Sequence, residues 1–277
     1  MITFLFIFII GLCVGSFLNV LIYREAIGDL RSKMKDLRFK NWLPTWFLGR
    51  SYCDYCKKQL MWYDNIPLFS FLLLKGKCRF CHKKISFQYP LIEFLTGIEF
   101  VWIYFLIQSN LNFFSRFEGF YSFSTLFAWL LLGACFLAIF VADIKYQIIP
   151  DGAVFLGILI VLIKLWFDYY FTGMIDFSVF LSALGASLFF LLLIFLTSGK
   201  GMGFGDVKLA LLMGLILGFP KILMALAFAF LTGAIVGVIL ITARKKKLKS
   251  KIAFGPFLIL GTVFALIYGE KILSFLK

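Results

Sequence analysis

The stretch LFAWLLLGACFLAIFVADIKYQIIPD (126–151) decides the fold, because a long apolar segment ends abruptly at an aspartate. No charged side chain precedes Asp143 in this stretch. Since a helix of about 20 apolar residues crosses a bilayer, the stretch predicts a transmembrane helix. Asp143 then ends the helix, and Asp151 follows behind Pro150. A charge at such a position is costly and is therefore a candidate for function.

Composition extends this prediction to the whole chain, which is 62% hydrophobic with a mean hydropathy of +0.98. The apolar runs do not alternate with polar residues, which excludes a lipid-facing β-barrel. We therefore predict an all-α polytopic membrane protein with about eight transmembrane helices. The sixth span is short and contains glycine, so seven or nine helices are alternatives. The predicted spans are 1–22, 90–108, 125–142, 153–168, 177–197, 206–219, 222–242 and 254–273.

Basic residues predict the orientation of these spans. The first span lacks a basic segment before it and a small-residue cleavage site, so it is predicted to remain with its N-terminus outside. In this topology 23 of the 28 Lys and Arg residues are cytoplasmic, as the positive-inside rule requires. The net charge of +14 then needs no nucleic-acid partner. The run RKKKLKSK (244–251) is interpreted as a cytoplasmic loop, with a nucleic-acid or lipid patch as the alternative.

Three regions follow from this topology: a first transmembrane helix (1–22), a cytoplasmic four-cysteine domain (23–89) and a transmembrane helical core (90–277). The middle region is too small for a large hydrophobic core, so it needs a cross-link that stabilises its fold. The pairs CDYC (53–56) and CRFC (78–81) supply one, since four thiolates form a closed tetrahedral zinc site. The predicted ligands are Cys53, Cys56, Cys78 and Cys81.

This zinc is predicted to be structural, because a catalytic zinc keeps an open coordination position. A reducing cytoplasm disfavours disulfides, and free or redox-active thiols are the alternative. His82 is the only histidine of the chain and is predicted to lie on the surface, since four cysteines already fill the coordination shell.

Two aspartates are predicted at the cytoplasmic ends of different spans. Asp143 ends the third span, and Asp206 begins the sixth after GMGFG (201–205). Two adjacent carboxyl groups can share a proton and hydrolyse a peptide bond, one activating water and the other polarising the carbonyl. Alternatively, Asp206 is a helix cap and Asp143 an ordinary interfacial residue. Asp151 is predicted to cap the next helix.

The glycines around Asp206 invite a nucleotide-loop interpretation, which we discount because no strand or βαβ unit surrounds them. Glycines between two spans instead allow close helix packing or the approach of a substrate backbone. Gly203, Gly205 and Lys208 are therefore candidates for positioning a substrate.

Four stretches in this order resemble the type IV prepilin peptidases, also called leader peptidase/N-methyltransferases. The resemblance runs from residue 11 to about 210, and the last two spans carry no motif. It implies that Asp143 and Asp206 are the catalytic pair, and that Asp151 is not. The stretches are GLCVGSFLNVLIYR (11–24), the cysteine segment (49–97), ADIKYQIIPD (142–151) and GMGFGDVK (201–208).

The resemblance also implies substrates, a cofactor and a location. The substrates would be precursors of type IV pilins or of type II secretion pseudopilins, with a basic leader, a glycine before the cut and then an apolar helix. The new N-terminal amine would be methylated by S-adenosylmethionine, for which Gly76, Lys77 and Glu93 are contact candidates. The enzyme would lie in the bacterial inner membrane. The oligomeric state stays open.

Two alternatives and one departure from the family accompany this interpretation. The chain could be a peptidase alone, with a purely structural zinc domain. It could also be a proton-coupled transporter, which would predict inverted repeats and charges near the bilayer midplane. The departure is an extra basic segment, RSKMKDLRFKNWLPTW (31–46), ahead of the cysteines.

Overall fold

The structure is a computed structural model that describes residues 2–33, 51–53, 55–109, 120–173, 176–197, 199, 202–243 and 253–276. The basic segment 31–46 lies outside these ranges from residue 34 onward, and so does the run 244–251. The described residues form α-helices and a 3-10 helix (Trp62–Asn65), and their only β-structure is two isolated bridges. The helices are α1 (Ile2–Lys33), α2 (Phe69–Leu73), α3 (Gln88–Gln108), α4 (Phe120–Tyr146), α5 (Asp151–Thr172), α6 (Ser178–Leu196), α7 (Phe204–Leu217), α8 (Lys221–Thr242) and α9 (Gly255–Leu276).

Within the described ranges, seven helices are long and apolar enough to cross a membrane, which confirms the all-α polytopic fold. They are α1, α3, α4, α5, α6, α8 and α9. The sixth predicted span forms as α7, but its 14 residues extend only about 21 Å, less than the ~30 Å of a bilayer core. The sequence predicted this helix (206–219) at the same length, and the structure moves it by two residues toward the N-terminus.

The short helix α7 lies in the middle of the second half of the chain. It packs against α5, α6, α8 and α9. Leu209, Ala210, Leu212 and Met213 on α7 are fully buried. Because protein surrounds α7, its ends can lie at membrane depth without exposing backbone polar groups to lipid. This arrangement puts Asp206, near the start of α7, inside the protein rather than at its surface.

Contacts divide the chain into two compact units, residues 1–115 and 116–277. In the first unit α1 packs along α3, with Gly11 and Gly15 of α1 close against the α3 backbone. A Cβ on either glycine would approach backbone atoms of α3 within 2.8 Å, so small residues are required at this helix contact. The Asn19 amide also donates to the Tyr89 carbonyl oxygen at 3.1 Å, which ties α1 to the start of α3.

Candidate active site and metal centre

The four cysteines predicted as ligands meet in the first unit. Their sulfur atoms lie within 4.8 Å of one another, and Cys53 Sγ lies 3.8 Å from Cys81 Sγ. Zn–S bonds of about 2.3 Å in a tetrahedron put neighbouring sulfurs about 3.8 Å apart, so the cluster fits a zinc ion. The Lys83 amide lowers the pKa of the Cys81 thiol, but desolvation and the other three thiols raise it, to about 11. A divalent cation would compensate the charge that this crowding disfavours.

The two cysteine pairs have the same backbone hydrogen bonds. In the first, the Cys53 amide donates to the Lys58 carbonyl and the Lys57 amide donates to the Cys53 carbonyl, at 3.0 and 2.8 Å. The second repeats both bonds, from Cys78 to Lys83 and from His82 to Cys78, at 2.9 and 3.0 Å. Each turn therefore presents its two sulfurs in the same way, and the pairs form a local structural repeat.

Side-chain contacts follow the same repeat. The Lys58 ammonium lies 5.1 Å from the centre of the Phe80 ring, and the Lys83 ammonium lies 4.5 Å from the Tyr55 ring. Each pair thus contributes one cation and one aromatic ring to the other, which holds the turns together. His82 is exposed and lies in the left-handed region with φ +55°, as the residue after each second cysteine does. The surface position predicted for His82 is confirmed.

Asp143 lies in the last turns of α4 and is only 5% exposed. Its Oδ2 accepts a hydrogen bond of 2.8 Å from the backbone amide of Gly255, the first residue of α9. A Cβ on Gly255 would lie 2.7 Å from the same oxygen, so the approach requires glycine. The N-terminus of α9 also carries a partial positive charge, which favours a carboxylate there. Gly255 belongs to this site, but the sequence analysis did not predict its role. The feature that could have indicated it is the triplet FGP (254–256) at the start of a helix.

Asp206 has a matching environment at the N-terminus of α7. It is 7% exposed, and its Oδ2 accepts a hydrogen bond of 3.0 Å from the amide of Gly203, the N-cap residue. Burial raises the pKa of Asp206, the Gly203 amide lowers it, and the negative charge of Asp143 raises it again, to about 6. The two carboxyl groups are therefore close enough to interact electrostatically. Two carboxyl groups in such an arrangement can share a single proton.

The connection between α4 and α5 holds the start of α7. Ile149 packs on Gly205, where a Cβ would come within 2.8 Å of the isoleucine Cβ. The Lys208 ammonium lies 2.8 Å from both carboxylate oxygens of Asp151. Asp151 begins α5 as predicted, but the N-cap residue is Pro150 and the carboxylate pairs with Lys208 instead of capping. These contacts fix where α7 begins relative to the end of α4.

The candidates for cofactor contact lie in separate elements of the first unit. Gly76 and Lys77 form the turn between α2 and the second cysteine pair, whereas Glu93 lies in α3 and is 8% exposed. The Glu93 Oε2 accepts a hydrogen bond of 2.8 Å from the Leu68 amide, so this carboxylate joins the cysteine region (residues 51–87) to α3. Glu99, also in α3, has a buried Oε2 with no hydrogen-bond partner among the described residues.

Comparison with known proteins decides the family. The model for the bacterial peptidase A24 N-terminal domain matches residues 9–107, and that for the type IV leader peptidase family matches residues 129–238. A prepilin leader peptidase/N-methyltransferase of Pectobacterium carotovorum is 32% identical, covering 94% of this chain and 91% of that protein. The chain belongs to the type IV leader peptidase family.

Other members of the type IV leader peptidase family are similarly close. The prepilin leader peptidase/N-methyltransferases of Legionella pneumophila and Stutzerimonas stutzeri are 31% and 30% identical to this chain. The first alignment covers 98% of this chain and 93% of that protein, and the second covers 95% and 90%. No solved structure matches the chain. Family membership confirms the resemblance seen in the sequence and favours a peptidase over a transporter.

Proposed function

We propose that the chain cleaves the leader from type IV prepilins or pseudopilins and methylates the new N-terminal amine with S-adenosylmethionine. The observation that carries the peptidase activity is the pair of buried aspartates, Asp143 and Asp206, each held by the backbone amide of a glycine. The relatives named prepilin leader peptidase/N-methyltransferase support both activities. The chain aligns with them over almost its whole length.

The proposed cleavage needs no covalent intermediate. One carboxylate of the pair accepts a proton from a water molecule, whose oxygen attacks the carbonyl carbon of the scissile bond. The other carboxyl group, which is protonated, donates a hydrogen bond and then its proton to the carbonyl oxygen. Collapse of the tetrahedral intermediate breaks the C–N bond, and the nitrogen leaves as an amine after taking a proton from the pair. The Gly255 and Gly203 amides hold Oδ2 of each aspartate throughout.

The two backbone amides leave the other carboxylate oxygen of each aspartate for chemistry. Within the described residues, Oδ1 of Asp143 and of Asp206 makes no hydrogen bond, whereas Oδ2 of each accepts one from a glycine. A carboxylate anchored through one oxygen keeps its orientation while the other oxygen exchanges a proton. This division of roles suits a paired acid and base, and the Gly203–Asp206 bond also caps the start of α7.

The proposed location is the bacterial inner membrane, with the N-terminus outside and the cysteine region in the cytoplasm. Basic residues support this orientation, since they concentrate in the connections predicted to be cytoplasmic. The apolar helix of a prepilin would enter from the bilayer, and its basic leader would lie on the cytoplasmic side. The scissile bond would then reach Asp143 and Asp206 at the helix ends where they lie.

The proposed metal is zinc held by Cys53, Cys56, Cys78 and Cys81. When bound, it would supply four bonds that cross-link two turns whose own core is small. It would not participate in peptide hydrolysis, because the four thiolates fill its coordination shell.

The proposed methyl transfer uses the amine that cleavage releases. When bound, S-adenosylmethionine would supply an electrophilic methyl group on its sulfonium. Transfer to the deprotonated amine nitrogen would form the N–CH3 bond, break the S–CH3 bond and release S-adenosylhomocysteine. Gly76, Lys77 and Glu93 remain the contact candidates. Because Glu93 bonds to Leu68, Glu93→Gln tests the joint between the cysteine region and α3 as well as the cofactor.

The proposed function is tested with purified protein in lipid vesicles, a prepilin substrate and S-adenosylmethionine. Mass spectrometry should find a product that begins after the leader glycine and carries one methyl group on its N-terminus. Omitting S-adenosylmethionine should give the same product without the methyl group. An unmethylated product in the presence of the cofactor would assign the chain as a peptidase alone, and an intact substrate would contradict the proposal.

A further inference from the structure

The cysteine region is hydrogen-bonded to α3 near the start of that helix. The Leu68 amide donates to Glu93 Oε2 at 2.8 Å, and Glu93 is 8% exposed. Glu93 is the sixth residue of α3, so it lies about 8 Å along this helix from its start. Since α3 is long and apolar enough to cross the membrane, Leu68 lies beside a turn that enters the bilayer. The segment after Leu68 therefore begins at the depth of the membrane interface.

That segment is α2, which exposes a row of apolar side chains. Phe69, Leu72 and Leu73 are 57%, 71% and 66% exposed, and they occupy one face of the helix, at positions i, i+3 and i+4. The opposite face carries Phe71, whose ring packs against Phe87 with 6.3 Å between centroids. The inner face of α2 thus packs against protein, whereas its outer face is apolar and exposed.

Further side chains on the same region suit a lipid interface. The 3-10 helix that packs against α2 begins with Trp62, which is 79% exposed. Lys75 and Lys77 follow α2 directly and are exposed. Between residues 51 and 87 the sequence has seven basic and two acidic residues. Tryptophan and lysine are the side chains that accumulate where hydrocarbon meets anionic headgroups.

We propose that the outer face of α2, with Trp62, inserts into the interfacial region of the bilayer as a membrane anchor of the cysteine region. The partner is anionic phospholipid: Phe69, Leu72 and Leu73 contact acyl chains, and Lys75 contacts headgroup phosphates. The Glu93–Leu68 hydrogen bond sets the depth. This anchor does not depend on peptidase or methyltransferase activity, so it can fail while the proposed function stands.

Photo-crosslinking in the intact protein tests this proposal. Leu72 is replaced by p-benzoylphenylalanine, and the protein is irradiated in nanodiscs of phosphatidylethanolamine and phosphatidylglycerol. Mass spectrometry should find phospholipid adducts at this position in several-fold higher yield than at Phe71, the matched position on the inner face of α2. If the Leu72 replacement does not fold, Phe69 takes its place, since there the new side chain is also aromatic. Nanodiscs without phosphatidylglycerol should lower the adduct yield.

Other occupants of this surface would give different products. Adducts to a second copy of the chain would show a dimer interface, and adducts to an added prepilin would show a substrate surface. Equal lipid yields at the Leu72 and Phe71 positions, or no lipid adduct at either Leu72 or Phe69, would show that the outer face of α2 does not insert into the bilayer. Each of these four results overturns the anchor.

Discussion

The cysteine region and the aspartate pair reach a defined geometry in opposite ways. The cysteine region is local: two similar turns close on each other within one short segment of the chain. The aspartate pair is assembled from α4, α7 and α9, and the amide that holds Asp143 lies 112 residues further along the chain. A local site depends on its metal, whereas a dispersed site depends on packing between helices. The two regions should therefore break under different substitutions.

Loss of one cysteine ligand should have the largest structural effect. Because structural zinc contributes about 10 kcal/mol or more to folding of small domains, Cys78→Ser should lose the metal and open the whole cysteine region. Zinc content measured by plasma mass spectrometry should fall below half of the wild-type value, and protease should cut faster between residues 51 and 87. Cys13→Ser, which changes a cysteine of α1 outside the cluster, should keep both at wild-type level. Full zinc content in Cys78→Ser would exclude the four-thiolate site.

A single methyl group should disable the dispersed site. Gly255→Ala places a Cβ 2.7 Å from Asp143 Oδ2, so the carboxylate must move. A displacement of about 1 Å in a catalytic group can cost about 100-fold, and we expect a loss of that order in kcat for leader cleavage. Gly185→Ala is the matched control, because a Cβ there meets nothing within 4 Å. Equal activity in both variants would remove Gly255 from the site.

The raised pKa of Asp206 should make stability depend on pH. Burial raises this pKa from 3.8 to about 6, so the folded protein binds the proton more tightly than the unfolded chain. Stability from this group is fully present below pH 3.8 and is lost as pH rises through about 6, by at most about 3 kcal/mol. Asp206→Asn cannot ionise, so its Tm relative to wild type should increase between pH 5 and pH 8. A constant difference in Tm would contradict the raised pKa.

The ion pair beside the aspartates should have the smallest effect. Lys208 and Asp151 are partly exposed, and such a pair is worth about 0.2–1 kcal/mol. If Lys208 acts only by holding α7 to α5, Lys208→Met and Asp151→Asn should lower kcat/KM by the same few-fold factor. The double variant should then lose no more than either single one. A much larger loss in Lys208→Met alone would instead assign Lys208 to the substrate, as the sequence suggested.

The sequence predicted the local region more completely than the dispersed one. The spacing of four cysteines was enough to predict their cluster, because ligands and connecting turns lie in the same segment. Asp143 and Asp206 were predicted from their positions at helix ends and from the family motifs. Gly255 was not, because it contributes a backbone amide and the lack of a Cβ, neither of which has a side-chain signature. The partner of Asp151 was missed because Lys208 lies on another helix.

Helices were predicted better than their surroundings. Apolar runs indicated each long helix, since a run of about 20 apolar residues is typical of a transmembrane helix. The same runs indicated that α7 is short, but they could not show that four other helices enclose it, because enclosure depends on tertiary packing. That enclosure is what buries Asp206, so the sequence indicated the residue without its environment.

Leader cleavage by Asp143→Asn and Asp206→Asn proteins tests the central claim most directly. Both substitutions keep side-chain shape and remove the ionisable group, and Asp176→Asn serves as control because Asp176 is exposed. With purified proteins whose thermal unfolding shows that they are folded, each of the two variants should cleave prepilin about 1,000-fold more slowly than wild type, and the control should not differ. Wild-type cleavage by either folded variant would contradict the two-aspartate mechanism.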